Sequence, residues 1–270
     1  MRERPPLPDN ALAAALAAGW GMAARAAEFL PVGDDAGAWS FRVIASDGIR
    51  WFLKVRRGPV DPAAVLVPRF RRDHGLEPVV AAVPTADGER DPWRAAGRLH
   101  LAGLPVGRGR RGHGAEADRP AVGRPRPLQA ALHRAERLGR AVAAARPELV
   151  LCHADLHLAN LLVDAEGRLW VVDWDGLQLT PRERDLLFAT GPQRARFLEG
   201  YGPITLDRPT VAYYRWEWVV QELADYGGRV LDDRLGDDTR RHALEELRRL
   251  FAPGDVVEVA RRADQGLMVS

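Results

Sequence analysis

Leu149-Val-Leu-Cys152-His153-Ala-Asp155-Leu-His157-Leu-Ala-Asn160, with Val171-Val-Asp173-Trp-Asp175 beyond it, is the stretch that decides how this chain reads. Leu149 to Cys152 has the length and composition of a short buried strand. The polar loop His153 to Asn160 follows it directly. Leu161 to Val163 and Leu169 to Val172 read as two further strands, joined by the turn Asp164-Ala-Glu-Gly167. Such a hairpin returns the chain, so Asp155, Asn160 and Asp173 are predicted to converge although they are dispersed in sequence.

Those three residue types suit one chemistry. A carboxylate in a loop can orient an attacking hydroxyl. One carboxylate and one amide are enough protein oxygen for Mg²⁺ when nucleotide phosphates supply the rest. His153 and His157 with Asp155 also allow a transition-metal site, but an amide and a carboxylate favour magnesium. His157 and His153 read more simply as structural polar residues.

Working outward, the first ninety residues read as a helix and an antiparallel sheet. Asp9 to Ala27 has helical character, Glu28 to Val32 reads as a strand, and Gly33-Asp-Asp-Ala-Gly37 as a turn. Trp39 to Ile44 and Ile49 to Val55 are strands around the hairpin turn Asp47-Gly48. Lys54 lies on the second of them. It is the only lysine among 39 basic side chains, and Asn160 is one of only two asparagines. Abundant Ala, Gly, Pro and Arg suggest a GC-rich coding bias, under which the surviving Lys and Asn are the residues to locate first. A helix is expected from Ala63 to Arg72 and a strand from Pro78 to Val83. After Asp175 the chain is expected to turn helical, with Val211 to Tyr226 one such helix. Sheet first and helices later gives an α+β fold with two lobes.

The bulk numbers exclude other classes. At 270 residues with 46% apolar and 28% charged residues the chain is an ordinary globular protein, and its net charge of +2 does not call for a nucleic-acid partner. The single Cys152 excludes an internal disulfide and a cysteine-based zinc site. No apolar run is long enough to span a bilayer, and the prolines near the start argue for an amphipathic helix after Asp9 rather than a signal peptide. A cytoplasmic location is expected, with no membrane partner.

His153-x-Asp155-Leu-His157-x-x-Asn160 followed by Val171-Val-Asp173-Trp-Asp175 resembles the catalytic and metal-binding loops of the aminoglycoside phosphotransferase family. Pro181-Arg-Glu-Arg-Asp185-Leu, Leu30-Pro-Val-Gly33, Trp51-Phe-Leu-Lys54 and Tyr213-Tyr-Arg-Trp-Glu-Trp look most like its spectinomycin phosphotransferase branch. The resemblance covers roughly residues 20–90 and 130–260. It implies a protein-kinase-like two-lobe fold, ATP and Mg²⁺ as cofactors, and transfer of a phosphoryl group to an alcohol. Residue by residue it implies Asp155 as catalytic base, Asn160 and Asp173 on magnesium, and Lys54 on the nucleotide phosphates under a turn carrying Gly33 and Gly37. His153, Asp175 and Asp185 would support the loops. On the acceptor side, Glu217, Gln221 and Asp225 recur at intervals of four on one helix face, where acidic groups would suit a cationic aminocyclitol. A solvated helix face is the plainer reading of the same spacing. Choline, homoserine or a sugar are alternative acceptors.

Two features depart from that pattern. The lysine of kinase-like folds pairs with a glutamate on the next helix, yet Asp61 to Asp73 contains none, so Asp61 or Asp73 substitutes or the pair is absent. Residues 94–128, where a hinge is expected between lobes 1–93 and 129–270, hold eight Arg, seven Gly and four Pro among 35 residues. That composition reads as a linker or as a frame disturbance in a GC-rich gene, in which case the chain is a vestigial, non-catalytic member. No aromatic residues interleave there, so a nucleic-acid contact is not expected.

Overall fold

The computed structural model describes residues 2–33, 35, 37–57, 61–83, 85, 86, 126–189 and 194–266. The sequence-predicted linker 94–128 lies outside them except for its last three residues. Along the chain the helices are α1 (Asp9–Trp20), α2 (Ala63–Asp73), α3 (Arg126–Ala145), α4 (Arg194–Tyr201), α5 (Arg208–Leu231), α6 (Asp237–Arg249) and α7 (Val256–Asp264). The strands are β1 (Ala24–Leu30), β2 (Ala38–Ala45), β3 (Arg50–Arg56), β4 (Val150–Cys152), β5 (Leu161–Val163), β6 (Leu169–Val171) and β7 (Gln178–Thr180). The described residues fall into two compact units, the first made of residues up to 86 with Ala165–Asp175, the second of residues from 126 to Asp164 and from Gly176 onward.

The first unit is built on the antiparallel sheet β1-β2-β3. Alternation sorts its side chains between two faces. Trp39, Phe41 and Val43 of β2 and Leu53 and Val55 of β3 point to one face and are buried against Leu12 and Leu16 of α1. Trp39 also donates its ring N–H to the carbonyl of Glu3 at 3.1 Å, which ties the N-terminal segment to the sheet. The hairpin turn Asp47-Gly48 forms as its sequence predicts, with Gly48 at φ 85°. The helix expected to reach Ala27 ends instead at Trp20. Gly21 takes a left-handed conformation and its N–H caps the carbonyl of Ala17. The Ala-rich stretch beyond it becomes β1 because cross-strand partners from Ala45 to Ser40 are available, and pairing overrides its helix propensity. The strand expected over Pro78 to Val83 is reduced to one parallel bridge between Val79 and Val171. Through it, Val171 N–H donates to Pro78 and Val80 N–H donates to Val171, so the segment leading to Asp173 is held by the first unit.

The second unit is mainly helical. Its core gathers on α5, where Trp216, Val219 and Tyr226 meet Ala131 of α3, Ala243 of α6 and Val256, Val257 and Ala260 of α7. Alanines at these crossings let helix backbones approach closely. Gly139 of α3 has the same use, since a Cβ there would lie 2.9 Å from the Tyr213 ring. After Asp175 the chain does not turn helical at once. It forms β7, which pairs antiparallel with β4 in the register Val150↔Thr180 and Cys152↔Gln178. Pro181 to Asp185 then follows as a single 3₁₀ turn. Among the described residues no helix is long and apolar enough to cross a membrane.

Replacing Trp39 by Ala removes the largest side chain of the first core, and unfolding free energy should fall by about 3–5 kcal/mol. Urea denaturation of wild type and variant measures this, and a loss under about 1 kcal/mol would contradict the packing described.

Candidate active site

The Asp155 loop begins where β4 ends, and the second unit fixes it from two sides. The Asp185 carboxylate accepts the backbone N–H groups of His153 at 2.9 Å and Ala154 at 2.6 Å. Ala154 itself is at φ 65°, a left-handed conformation that costs a non-glycine residue roughly 1 kcal/mol or more. Two charge-assisted hydrogen bonds hold it there. Buried His153 accepts the Asp155 N–H on Nδ1 at 3.3 Å. Gly176 closes over the loop, and a Cβ there would sit 3.1 Å from the His153 carbonyl oxygen.

Asn160 closes the loop from its far end. Its side-chain nitrogen donates to the Asp155 carbonyl at 2.8 Å and to the Asp155 carboxylate at 3.1 Å. Spending the nitrogen this way leaves the amide oxygen as the donor atom for a hard cation. His157 lies 3.5 Å from the Asp155 carboxylate and accepts the Ala159 N–H on Nδ1. Its ring meets Phe188 edge to face, and Phe188 meets Trp218 of α5 in the same way. Trp218 donates its indole N–H to Glu222 at 3.0 Å. Burial pushes the Glu222 carboxyl above its ordinary range, and the negative charges of Asp225 and Asp155 push it further. The Trp218 N–H and Arg229 offset part of this rise, and the sequence reading missed Glu222. The signal was present in the i, i+4 step from Trp218 to Glu222.

The three acids and amides expected on the acceptor side are engaged elsewhere. Glu217 lies 3.9 Å from Arg184 and accepts from the Tyr213 hydroxyl at 3.4 Å. Gln221 accepts from Arg184 at 3.2 Å, and Asp225 pairs with Arg229 along the helix. Arg184 is almost wholly buried and sits over the Tyr214 ring, so this group ties the 3₁₀ turn before Asp185 to α5. Cys152 is buried, and loss of solvation pushes its thiol up to about 12, which leaves it an inert packing residue.

The first unit carries a separate charge cluster. Lys54 donates to Asp173 and to Asp175, each at 2.8 Å. Arg56 reaches Asp175 at 2.8 Å and also pairs with Asp35. Neither Asp61 nor Asp73 takes the role left by the missing helix glutamate. Asp61 accepts the Ala63 N–H at the start of α2, and Asp73 pairs with Arg69. Asp173 and Asp175 supply the carboxylates instead. Burial alone would lower the Lys54 ammonium, but the two aspartates outweigh it and hold it above its ordinary value. Burial likewise pushes Asp173 and Asp35 up, and the facing cations, Lys54 for Asp173 and Arg56 for Asp35, bring both below it. Asp173 itself sits at φ 62°, a left-handed conformation that a non-glycine residue adopts only at a cost. Gly33 is at φ 85°, and Gly37 donates its N–H to Asp35 at 2.7 Å.

The phosphotransferase enzyme family model matches residues 76–218, more than half of the chain. The chain belongs to this family. It is a phosphotransferase by family, on a kinase-like α+β fold. Among solved structures, spectinomycin phosphotransferase APH(9)-Ia with ADP and spectinomycin is similar at a TM-score of 0.69 and 22% identity, over 97% of this chain and 100% of that one. The AMP-bound form of that protein gives 0.66 and 20%, over 95% and 99%. Choline kinase LicA from Streptococcus pneumoniae gives 0.51 and 13%, over 84% and 94%. No curated protein matches the chain.

The charge cluster sets a pH dependence. Asp35 is depressed below 3.8, so the stability it adds is present above that ordinary value and lost as pH falls through the depressed one. Thermal melts of wild type and Asp35→Asn should differ at pH 6, and the gap should close steadily below about pH 4. A gap that stays constant down to pH 2 would remove the ion pair from this role.

Proposed function

We propose that this chain transfers the γ-phosphate of ATP to a hydroxyl of an aminoglycoside or aminocyclitol, with spectinomycin as the first candidate, and so confers resistance in the cytoplasm where ATP is available. The observation that carries the reading is the Asp155 loop, braced by Asp185 and locked by Asn160, with its carboxylate held 3.1 Å from the amide nitrogen. That loop presents a fixed carboxylate, which is what orienting a weak nucleophile requires.

In the proposed reaction the acceptor hydroxyl oxygen bonds to the γ-phosphorus, the bond to the bridging oxygen of ADP breaks, and the hydroxyl proton passes toward Asp155. Lys54 releases an aspartate to bind the phosphates, under the turn that carries Gly33 and Gly37. The family resemblance assigns Mg²⁺ to the Asn160 amide oxygen and the Asp173 carboxylate, and each is a hard oxygen donor of the kind that ion takes. When bound, Mg²⁺ would offset the negative charge of the phosphates. Residues 1–93 carry the nucleotide groups and residues 129–270 the acceptor groups in this reading, with 94–128 in place of a hinge.

On the acceptor side, Glu222 supports a cationic substrate. Burial and the charges of Asp225 and Asp155 raise its carboxyl, and an ammonium group beside it would offset those two negative charges. Phe188 and Trp218 supply aromatic surface beside it. Choline is cationic and fits the same argument, whereas a neutral sugar does not. Glu217, Gln221 and Asp225 then act through the fold of α5 rather than on the acceptor.

Asp155→Ala should lower phosphoryl transfer by about 10²–10⁴-fold while ADP affinity stays within a few-fold of wild type. A radiolabel transfer assay with a panel of alcohols and a calorimetric ADP titration measure the two, and spectinomycin resistance in cells should vanish with the same change. Wild-type turnover in the variant would displace Asp155. Turnover of choline or homoserine with none on aminocyclitols would displace the acceptor. Glu222→Gln should raise KM for an aminocyclitol about tenfold with KM for ATP unchanged. Equal changes in both constants would show a general disturbance of α5.

A further inference from the structure

Lys54 and Arg56 stand two residues apart on β3, so both side chains leave the sheet on the face opposite the Leu53 and Val55 core. Their cross-strand partners on β2 are Ser40 and Ala38, whose small side chains leave room for two long cations to lie alongside each other. The cations meet three carboxylates, those of Asp35, Asp173 and Asp175. Two positive and three negative charges leave the cluster one negative charge in excess. Nucleotide phosphates cannot enter such a cluster without releasing an anion from it, because like charges at these distances repel by several kcal/mol.

The carboxylates are not equivalent. Asp173 and Asp175 belong to the segment held by Val79 and share Lys54. Asp35 lies on the turn between Gly33 and Gly37 and is held by Arg56 and the Gly37 N–H. A carboxylate bonded to an arginine and a backbone N–H in a glycine-flanked turn has the partners that a phosphate oxygen takes.

We infer that Arg56 is a second phosphate-binding cation of the nucleotide site, and that Asp35 occupies it as a resting counter-ion which nucleotide phosphates displace. This rests on the reading of ATP as phosphoryl donor. Arg56 links Asp35 to Asp175. When phosphates arrive, Arg56 turns its guanidinium to them and the Asp35 carboxylate is released to water. Neither residue was singled out by the sequence, although the period of two from Lys54 points to Arg56.

The two halves of the exchange have opposite signs, and that separates it from a brace. Calorimetric titrations with ADP and with adenosine, which lacks phosphates, on wild type, Asp35→Asn, Arg56→Ala and Arg56→Lys test it. Asp35→Asn should tighten ADP by about tenfold and Arg56→Ala should weaken it by at least as much, with Arg56→Lys between wild type and Arg56→Ala. Adenosine affinity should stay unchanged in all of them. If Asp35→Asn weakens ADP as Arg56→Ala does, the pair is a structural brace and the inference fails. It fails equally if ADP and adenosine shift together. If wild type and all variants bind neither ligand, the donor reading itself fails and the inference falls with it.

Discussion

The position of Lys54 between two aspartates is the constraint on which the first unit's charge cluster depends. Its ammonium is largely removed from water, and an unpaired cation in that place would cost several kcal/mol. Asp173 and Asp175 supply the compensation, and in doing so they bind the sheet to the segment that follows Val171. The parallel bridge to Val79 fixes the other end of the same segment. A short stretch late in the chain thus becomes part of an N-terminal sheet unit, although a simple division by sequence assigns it elsewhere.

The second unit meets an analogous demand with a different device. Its loop needs a left-handed Ala154 and a fixed Asp155, and Asp185 provides both by accepting two consecutive backbone N–H groups. Asp185 is itself delivered by a 3₁₀ turn whose Arg184 is buried against α5. The loop, the turn and the central helix are therefore one mechanical group. This is why Glu217 and Gln221, which look like exposed polar positions by spacing, are occupied by Arg184.

Much of this was legible in the residues. The hairpin at Asp47-Gly48, the two sheet-face patterns around Trp39 and Leu53, the short strand before His153 and the long helix around Trp216 follow from local propensity and period. Misread elements share one cause. Ala24 to Ala27 has helical composition and became a strand because β2 offered it partners. Gln178 to Thr180 has no strong propensity and became a strand because β4 lay exposed beside it. Pairing energy is non-local, and it exceeds the few tenths of a kcal/mol per residue by which propensities differ.

The sequence alone determined the family motif, because Asp155, Asn160, Asp173 and Lys54 stand in it at recognisable spacing. Only the tertiary structure decided who pairs with whom. That Lys54 faces Asp173 and Asp175 rather than an acid on α2, that Arg56 joins it with Asp35, and that Glu222 rather than Glu217 feels Asp155 all depend on distances across many residues of chain. Charges find partners by proximity after the cores have packed, and no period or spacing along the chain encodes that proximity.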